Sequence, residues 1–436
     1  MTTNLPRMIN AIPPLKLYRN STKVMTIKGQ PILVEDVIRA ALISRSNILF
    51  FGGTGWGKTT AENDVIGGLF GGKGIYIEAH PKMDVREIFS HLNLGKYFRG
   101  ELKSSKELRE VLDEIHNNIL IVDEITRAPP FTQNRIFGMA NGYVILDDNV
   151  PHPIGNGYSV LFGSGNIGES FKGTFELDEA FVNRFPIILN LDDVLPSPAD
   201  MFQSLMRKHD PRVPEIPEKE RLDYTPKLKE IYSQVKNLAP SVMVGITAEY
   251  LVYGLGDCSK IGRNKLSVWA GLPNSCQGCS RLAEACGYIK GVSWRAAEAI
   301  VSITNALQQV ALAKHQAAKD LADKGQANKP SDLVNNDVND VLEVFKTFHG
   351  FTGIVNARYV MQKYSMNPHH FLSDVAAKAS QEFDGKMDDI LTLLKAIDSR
   401  VPISEDMLKP FTKELSAGVG SSLRNPWRFV RDLVGV

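Results

Sequence analysis

A glycine-rich octet at residues 52–59 constrains the fold of this chain more than any other feature. It reads G-G-T-G-W-G-K-T and matches the pattern G-x-x-x-x-G-K-[ST] at every fixed position. The apolar run at 47–51 predicts a buried strand before it, and a helix is expected from Lys58 to about Leu69. A loop in this position wraps phosphates with its backbone N–H groups, and the dipole of the following helix favours negative charge. We therefore predict a nucleotide phosphate site formed by Gly52, Gly53, Thr54, Gly55, Trp56, Gly57, Lys58, Thr59 and Thr60.

Within this loop, two side chains are predicted to contact the nucleotide and its metal. Lys58 should reach the β- and γ-phosphates of ATP, and the hydroxyl of Thr59 should bind Mg²⁺. Two other stretches have similar glycine spacing. The one that begins at Gly67 has glycine in place of Ser/Thr, and the one that begins at Gly163 has glutamate in place of lysine. We therefore expect a single phosphate site.

An apolar run at 119–122 predicts a strand that ends in two acidic residues, Asp123 and Glu124. The carboxyl ends of parallel strands line the crevice in which ligands bind, so these acids are expected beside the phosphate loop. Asp123 is predicted to hold Mg²⁺, and Glu124 to polarise the attacking water. An acidic strand end is a weak signal alone, and it gains weight here from its position 65 residues after Lys58.

Short apolar strands alternate with helical stretches in the first half of the chain. Strands are predicted at 47–51, 74–78, 119–122, 159–162 and 186–189. The charged stretch 105–116 predicts a helix, and the Gly-, Asn- and Asp-rich stretch around Tyr143–Pro153 predicts a β-hairpin before the fourth strand. This alternation is typical of a parallel sheet covered by helices on both faces. The predicted fold is an α/β P-loop core with a five-stranded parallel sheet and a projecting hairpin.

Changes in composition predict the domain boundaries. Residues 1–28 contain three prolines and are predicted to be an irregular leader before an α/β nucleotide-binding domain at 29–195. Residues 196–225, rich in proline and charge, are predicted to be a linker. Helical periodicity then predicts an all-α lid at 226–315, with an insertion at about 255–290. A C-terminal helical region is expected at 316–436.

Composition and charge argue against several classes of protein. Of the 436 residues, 43% are apolar and 23% charged, as in ordinary globular proteins. The formal net charge of +1 gives no overall basic field for nucleic acid or an anionic membrane. The sequence contains neither a run of 18 apolar residues nor an apolar stretch typical of a secretory signal at its N-terminus. We expect a cytoplasmic protein.

All four cysteines, Cys258, Cys276, Cys279 and Cys286, fall within 29 residues. Cys276 and Cys279 form a C-x₂-C pair, and four thiolates suit either tetrahedral zinc or a [4Fe–4S] cluster. No histidine lies between residues 258 and 290, and the second C-x₂-C pair of a zinc ribbon is absent. We predict a structural metal, with zinc favoured over iron–sulfur. Unliganded buried thiols are the alternative.

The segment that begins at Asp123, D-E-I-T-R-A-P-P-F-T-Q-N, resembles the MoxR-type AAA+ ATPases. The comparable segment of that family is D-E-I-N-R-A-P-P-x-T-Q-N, from which Thr126 departs. The family also carries a β-hairpin before the fourth strand. The resemblance covers residues 29–195 and, with fewer matches, 226–315. It implies an AAA+ ATPase that binds ATP and Mg²⁺ and hydrolyses ATP to ADP and phosphate.

The resemblance implies roles for three further residues. Asn166 matches sensor 1, whose amide orients the attacking water and contacts the γ-phosphate. Arg184 matches the arginine finger that reaches into a neighbouring subunit, although Asn183 replaces the Asp of the family. Arg295 matches sensor 2, in a segment where Trp294 replaces a proline.

An assembly and a partner are implied as well. An arginine finger that acts in trans requires head-to-tail assembly, and the family implies a homo-oligomeric, hexameric ring. Its implied task is to remodel or activate a separate protein with a von Willebrand factor A domain, or to load metal or cofactor into it. The alternative is a nucleic-acid-translocating motor related to the minichromosome maintenance helicases, which share the hairpin. Asp147 and Asp148 in the hairpin would repel phosphate, and they count against a motor.

Overall fold

A computed structural model describes most of this chain. The described residues are 4–15, 18, 20–53, 55–83, 86–92, 109–146, 150–166, 177–206, 221–256, 283–365, 367–399 and 403–412. The chain forms two compact units. The first comprises residues 1–238 and 306–333, and the second comprises residues 239–305 and 334–436.

A five-stranded parallel sheet forms the centre of the first unit. The described strands of the chain are β1 (Met25–Ile27), β2 (Gln30–Ile32), β3 (Ile48–Phe51), β4 (Ile75–Glu78), β5 (Ser90–Leu92), β6 (Arg109–Val111), β7 (Ile119–Asp123), β8 (Tyr143–Ile145), β9 (Pro151–Pro153), β10 (Val160–Ser164) and β11 (Ile187–Asn190). The large sheet has the order β11-β3-β10-β7-β4. Its inner strands β3, β7 and β10 are buried almost throughout because both faces of the sheet are covered, and the five predicted strands are confirmed.

Three smaller antiparallel pairs accompany the sheet: β1 with β2, β5 with β6, and β8 with β9. In the pair of β8 and β9, Tyr143 lies opposite Pro153 and Ile145 opposite Pro151, so the predicted hairpin is present. Residues 147–149 at its tip, including Asp147 and Asp148, lie outside the described part of the chain.

Eight helices belong wholly to the first unit as far as it is described. They are α1 (Leu5–Asn10), α2 (Val34–Ser44), α3 (Lys58–Leu69), α4 (Arg86–Phe89), α5 (Pro130–Ala140), α6 (Glu179–Val182), α7 (Pro198–Leu205) and α8 (Thr225–Lys236). Helix α8 packs against α1 and α2 through a stripe of buried residues, Leu228, Ile231 and Val235. This stripe places α8 in the same unit as the sheet, although we predicted that the lid would begin at residue 226.

The described part of the second unit is helical. Its helices are α9 (Val242–Glu249), the first part of α10 (Trp294–Asp323), α11 (Asp337–Phe348), α12 (Ala357–Lys363), α13 (Pro368–Asp384), α14 (Met387–Asp398) and α15 (Glu405–Thr412). A π-helical turn at Tyr250–Gly254 follows α9, and the Tyr250 hydroxyl donates to Glu382 Oε2 at 2.9 Å inside this unit. None of the helices described in either unit combines the length and apolar content that crossing a membrane requires.

Candidate nucleotide site

The order of the sheet brings the predicted site residues to one edge. Strand β10 lies between β3 and β7, with Ser164 opposite Phe50 and Gly163 opposite Val122. All three strands run in the same direction, so the segments that follow them emerge side by side. These segments are the glycine-rich loop after β3, the two acids that end and follow β7, and the residues that end and follow β10.

The backbone of the loop explains its glycines. Gly52 has a φ of 140° and Gly57 a φ of 77°, in the region that residues with a Cβ rarely adopt. A Cβ at Gly52 would also lie 3.3 Å from the backbone nitrogen of Asp192. Helix α3 begins at Lys58, directly after Gly57, so the free N–H groups of its first turn face the loop. Thr54 lies outside the described residues.

Lys58 connects the loop to the end of β10. Its Nζ donates to the carbonyl oxygen of Gly52 at 2.7 Å and to Asn166 Oδ1 at 2.6 Å. Burial lowers the pKa of Lys58, and the carboxyl groups of Glu124, Asp123, Asp192 and Glu62 offset part of that effect. The predicted phosphate-binding lysine and the predicted sensor 1 amide are therefore in direct contact.

Asp123 is surrounded by hydrogen-bond donors. Its Oδ2 accepts from the Thr59 hydroxyl at 3.2 Å and from the Tyr76 hydroxyl at 2.5 Å. Its Oδ1 accepts from the backbone N–H of Glu124 at 2.9 Å and from the Ser164 hydroxyl. These four donors fix the orientation of the carboxylate at the edge of the sheet.

The Thr59 and Asp123 oxygens fit a magnesium ion. Mg²⁺ binds oxygen at 2.0–2.1 Å in octahedral geometry, which sets neighbouring ligand oxygens about 3 Å apart. The observed separation of 3.2 Å is close to that value. In the described residues, His, Cys, Asp and Glu side chains form no group of three or more able to hold a metal ion. A Mg²⁺ ion needs only one or two carboxylates when phosphate and water supply its other ligands.

Glu124 follows Asp123 in a left-handed backbone conformation, with a φ of 56°. Its carboxylate forms an ion pair with Arg127, whose Nε lies 2.8 Å from Glu124 Oε2. Glu124 Oε2 has no hydrogen-bond partner of good geometry, so its contact with Arg127 is an ion pair without hydrogen-bond alignment. Both side chains are partly open to solvent. This ion pair ties the predicted water-polarising carboxylate to the 3₁₀ turn Ile125–Arg127, which follows β7.

Of the residues implied by the resemblance, one lies away from this cluster and another belongs to the second unit. Asn47 directly precedes β3, and its Nδ2 donates to the carbonyl oxygen of Arg184 at 2.9 Å. The backbone of Arg184 is therefore at the amino end of β3, whereas the loop follows the carboxyl end, ~13 Å away for a strand of this length. The Arg184 guanidinium packs 4.2 Å from the ring centroid of Phe137. Arg295 lies in the first turn of α10, in the second unit.

The structure also brings to the site residues that we did not predict. Ser164 ends the fourth strand of the sheet and Asp192 closely follows the fifth, so the argument that located Asp123 applies to both. No local sequence pattern marks Tyr76 or Tyr18 as a residue of the site. Tyr18, in the predicted leader, is buried, and its hydroxyl donates to the carbonyl oxygen of Trp56 at 2.6 Å.

Most of the predicted metal site of the cysteine insertion lies outside the described residues. Cys258, Cys276 and Cys279 lie outside the described residues. Of Cys286 only the backbone is described, in the 3₁₀ turn Ala283–Tyr288. Zinc or iron–sulfur binding there stays a prediction from the sequence.

Comparisons with known proteins add little to this geometry. No known protein family and no curated protein matches the sequence. Among the solved structures that match is the crystal structure of a "putative ATPase" from Cytophaga hutchinsonii ATCC 33406, with a TM-score of 0.48 and 15% sequence identity. The match covers 76% of this chain and 88% of that chain. A likeness at this level says nothing of the activity of this chain.

Proposed function

We propose that this chain is a MoxR-like AAA+ ATPase that hydrolyses Mg²⁺-bound ATP at the edge of its parallel sheet. The observation that supports this most strongly is the convergence of three separate segments. Lys58 contacts Asn166 at 2.6 Å, and its neighbour Thr59 contacts Asp123 at 3.2 Å. A phosphate-binding loop, a magnesium ligand and a polar sensor are the parts that phosphoryl transfer to water requires.

Each residue has a chemical task in this proposal. The loop N–H groups and Lys58 bind the phosphates, and Thr59 and Asp123 hold the Mg²⁺ that neutralises developing charge. Glu124 orients and polarises the attacking water. Asn166, whose Oδ1 accepts a hydrogen bond from Lys58, would contact the attacking water or the γ-phosphate through its amide. The groups that bind the phosphates therefore lie on the loop, and the groups that act on the attacking water follow the neighbouring strands.

Replacement of Glu124 by Gln tests this assignment. The amide keeps the shape of the side chain but cannot accept a proton, so turnover should fall by about 10²–10⁴-fold while ATP binding persists. Phosphate release and the identity of the bound nucleotide are the two measurements. The matched control is Glu114→Gln, in an exposed 3₁₀ turn before β7, which should hydrolyse ATP at the wild-type rate. Undiminished turnover in Glu124→Gln would contradict the proposed role.

The proposed assembly is a homo-oligomeric ring, which is hexameric in the family that the sequence resembles. In this ring, Arg184 completes the site of a neighbouring subunit. Arg295 would act as sensor 2. The ring would remodel, activate or load a separate protein with a von Willebrand factor A domain. Co-purification of such a protein with the ATP-trapped Glu124→Gln ring would support this task. Turnover stimulated by DNA or RNA at low salt would instead favour a nucleic-acid motor.

The four-cysteine insertion completes the proposal. We infer a structural metal held by Cys258, Cys276, Cys279 and Cys286, with zinc favoured and a [4Fe–4S] cluster as the alternative. Metal analysis with a visible absorption spectrum distinguishes colourless zinc from brown iron–sulfur. Protein purified without either metal would contradict the inference.

A further inference from the structure

All acceptor positions of the Asp123 carboxylate are occupied by donors. A carboxylate has two oxygens with two lone pairs each, which gives about four positions for hydrogen-bond donors or a cation. At Oδ2 the donors are the Thr59 and Tyr76 hydroxyls. At Oδ1 they are the backbone N–H of Glu124 and the Ser164 hydroxyl. A cation can therefore bind Asp123 only where one of these donors gives way.

Thr59 is the donor that gives way to a cation. Its hydroxyl oxygen is itself a ligand in the proposed magnesium site. Its contact with Asp123 Oδ2, at 3.2 Å, is also the longest of the four. When the Thr59 oxygen binds the cation, Oδ2 can offer one lone pair to the same ion. Oδ1 remains closed, because both of its donors stay in place.

Ser164 is the side chain that closes Oδ1. It ends β10 and is 0% exposed, so water does not compete for its hydroxyl. The carboxyl group of Glu62 also lies near Ser164, but neither of its oxygens has a hydrogen-bond partner of good geometry. The hydroxyl hydrogen of Ser164 is therefore donated to Asp123. The other donor to Oδ1 is a backbone N–H, so Ser164 is the one that a substitution can remove.

The number of carboxylate oxygens that a site offers distinguishes Mg²⁺ from Ca²⁺. Mg²⁺ keeps octahedral geometry with neighbouring ligand oxygens about 3 Å apart, and the two oxygens of one carboxylate are closer together than that. Ca²⁺ has longer bonds, accepts about six to eight oxygens, and binds a carboxylate through one oxygen or through both. A carboxylate limited to one oxygen therefore suits Mg²⁺ and withholds a ligand from Ca²⁺.

We propose that Ser164 is a positioning residue that sets the cation specificity of the site. Its hydroxyl occupies Oδ1 of Asp123 and so restricts this carboxylate to one bond with the cation, which favours Mg²⁺ over Ca²⁺. This inference rests on the proposed ATPase function, because it concerns the cation of that site. It adds to that function a buried side chain that acts on the cation through Asp123.

Titrations of Mg²⁺ and Ca²⁺ into the complex of the protein with ADP test the inference. ADP binds both cations itself, and its contribution is the same in every variant. The quantity to compare is therefore the dissociation constant for Ca²⁺ divided by that for Mg²⁺. Ser164→Ala opens a lone pair of Oδ1 and should lower this ratio about tenfold, a typical effect of groups that support a metal ligand. Ser164→Cys, whose thiol donates only weakly, should shift the ratio in the same direction and replaces Ser164→Ala if that variant does not fold.

Tyr76→Phe is the matched control. It also removes one hydroxyl donor from Asp123, but from Oδ2, which already offers a lone pair to the cation. Its ratio should stay at the wild-type value, whatever change in affinity the two cations share. A wild-type ratio in the folded Ser164 variant would overturn the inference, and so would an equal fall of the ratio in Tyr76→Phe.

Failure of the proposed function looks different in the same titrations. Wild-type protein that binds neither ADP nor a cation in its presence would contradict the nucleotide site itself. Wild-type protein that binds both, together with an unchanged ratio in the Ser164 variant, would contradict only the role of Ser164.

Discussion

At the scale of single residues, the phosphate loop depends on side chains outside its own motif. The backbone N–H of Gly53 donates to Asp192 Oδ1 at 2.9 Å, and the Tyr18 hydroxyl donates to the carbonyl oxygen of Trp56 at 2.6 Å. Burial raises the pKa of Tyr18, and the charge of Asp192 adds to that effect, so the phenol stays a neutral donor. The two contacts hold the loop on both sides of Gly55.

The contact from Tyr18 leads to a prediction. Tyr18→Phe should lower the free energy of unfolding by about 1 kcal/mol, the typical value for such a hydrogen bond. It should also weaken ATP binding several-fold, because the loop loses the hydrogen bond that holds its backbone at Trp56. Chemical denaturation and equilibrium ATP binding are the measurements.

Tyr158→Phe supplies the control for Tyr18→Phe. The buried Tyr158 hydroxyl also donates to a backbone carbonyl, that of Leu42, at 2.8 Å. Its loss should cost similar stability and leave ATP affinity unchanged. Equal effects of the two variants on ATP binding would contradict a specific role for Tyr18 at the loop.

The sequence predicts the site residues that belong to a local motif. It does not predict the site residues whose partners are distant in the chain. Lys58 and Thr59 follow from the spacing of the loop, and Asp123 from an apolar strand that ends in acid. The contact of Tyr76 with Asp123 depends on the pairing of β4 with β7. That pairing joins residues about 45 positions apart, and no local pattern of side chains encodes it.

At the scale of secondary structure, the apolar strands were predictable because burial on both faces requires an apolar run. The helix predicted at 105–116 was wrong in its described part. Residues Arg109–Val111 form β6 against β5, and a 3₁₀ turn follows at Asp113–His116. Charged residues with good helix propensity can still form a strand when a partner strand is available elsewhere in the chain.

The predicted leader and linker also contain regular elements. Helix α1 and strand β1 lie within residues 1–28, and α7 lies within 196–225. Leu5, Met8 and Ile9 of α1 are buried, and α1 packs against α8. We predicted both stretches to be irregular because they contain proline. Proline is, however, tolerated in the first turn of a helix, where Pro6 and Pro198 lie.

At the scale of the whole molecule, the position of Arg184 bears on assembly. Its backbone lies at the opposite end of β3 from the loop, which suits action in a neighbouring site. We predict that Arg184→Ala lowers turnover by about 10³–10⁵-fold, as loss of an arginine finger does in related phosphoryl transfers. ATP binding should persist. The rate of phosphate release is the measurement.

Mixing two inactive variants shows whether Arg184 acts in trans. A Lys58→Ala subunit keeps its arginine, and an Arg184→Ala subunit keeps its phosphate loop. Mixed rings should therefore regain part of the wild-type rate where the two meet in the right order. The same mixture of Lys58→Ala with Glu124→Gln has no complete site in any order and should stay inactive. A mixture of Lys58→Ala and Arg184→Ala that remains inactive while rings form would contradict the trans role.

The central claim is that this chain has one ATP site, formed by the loop at residues 52–59. Equilibrium binding of Mg²⁺-bound ATP to the wild-type protein and to Lys58→Ala tests it most directly. Lys73→Ala is the control, because Lys73 is exposed and belongs to the other stretch with similar glycine spacing. The account predicts one ATP per wild-type chain, at least about tenfold weaker binding in Lys58→Ala, and unchanged binding in Lys73→Ala. Wild-type protein that binds no ATP, or Lys58→Ala protein that binds it as tightly as wild type, would contradict the account.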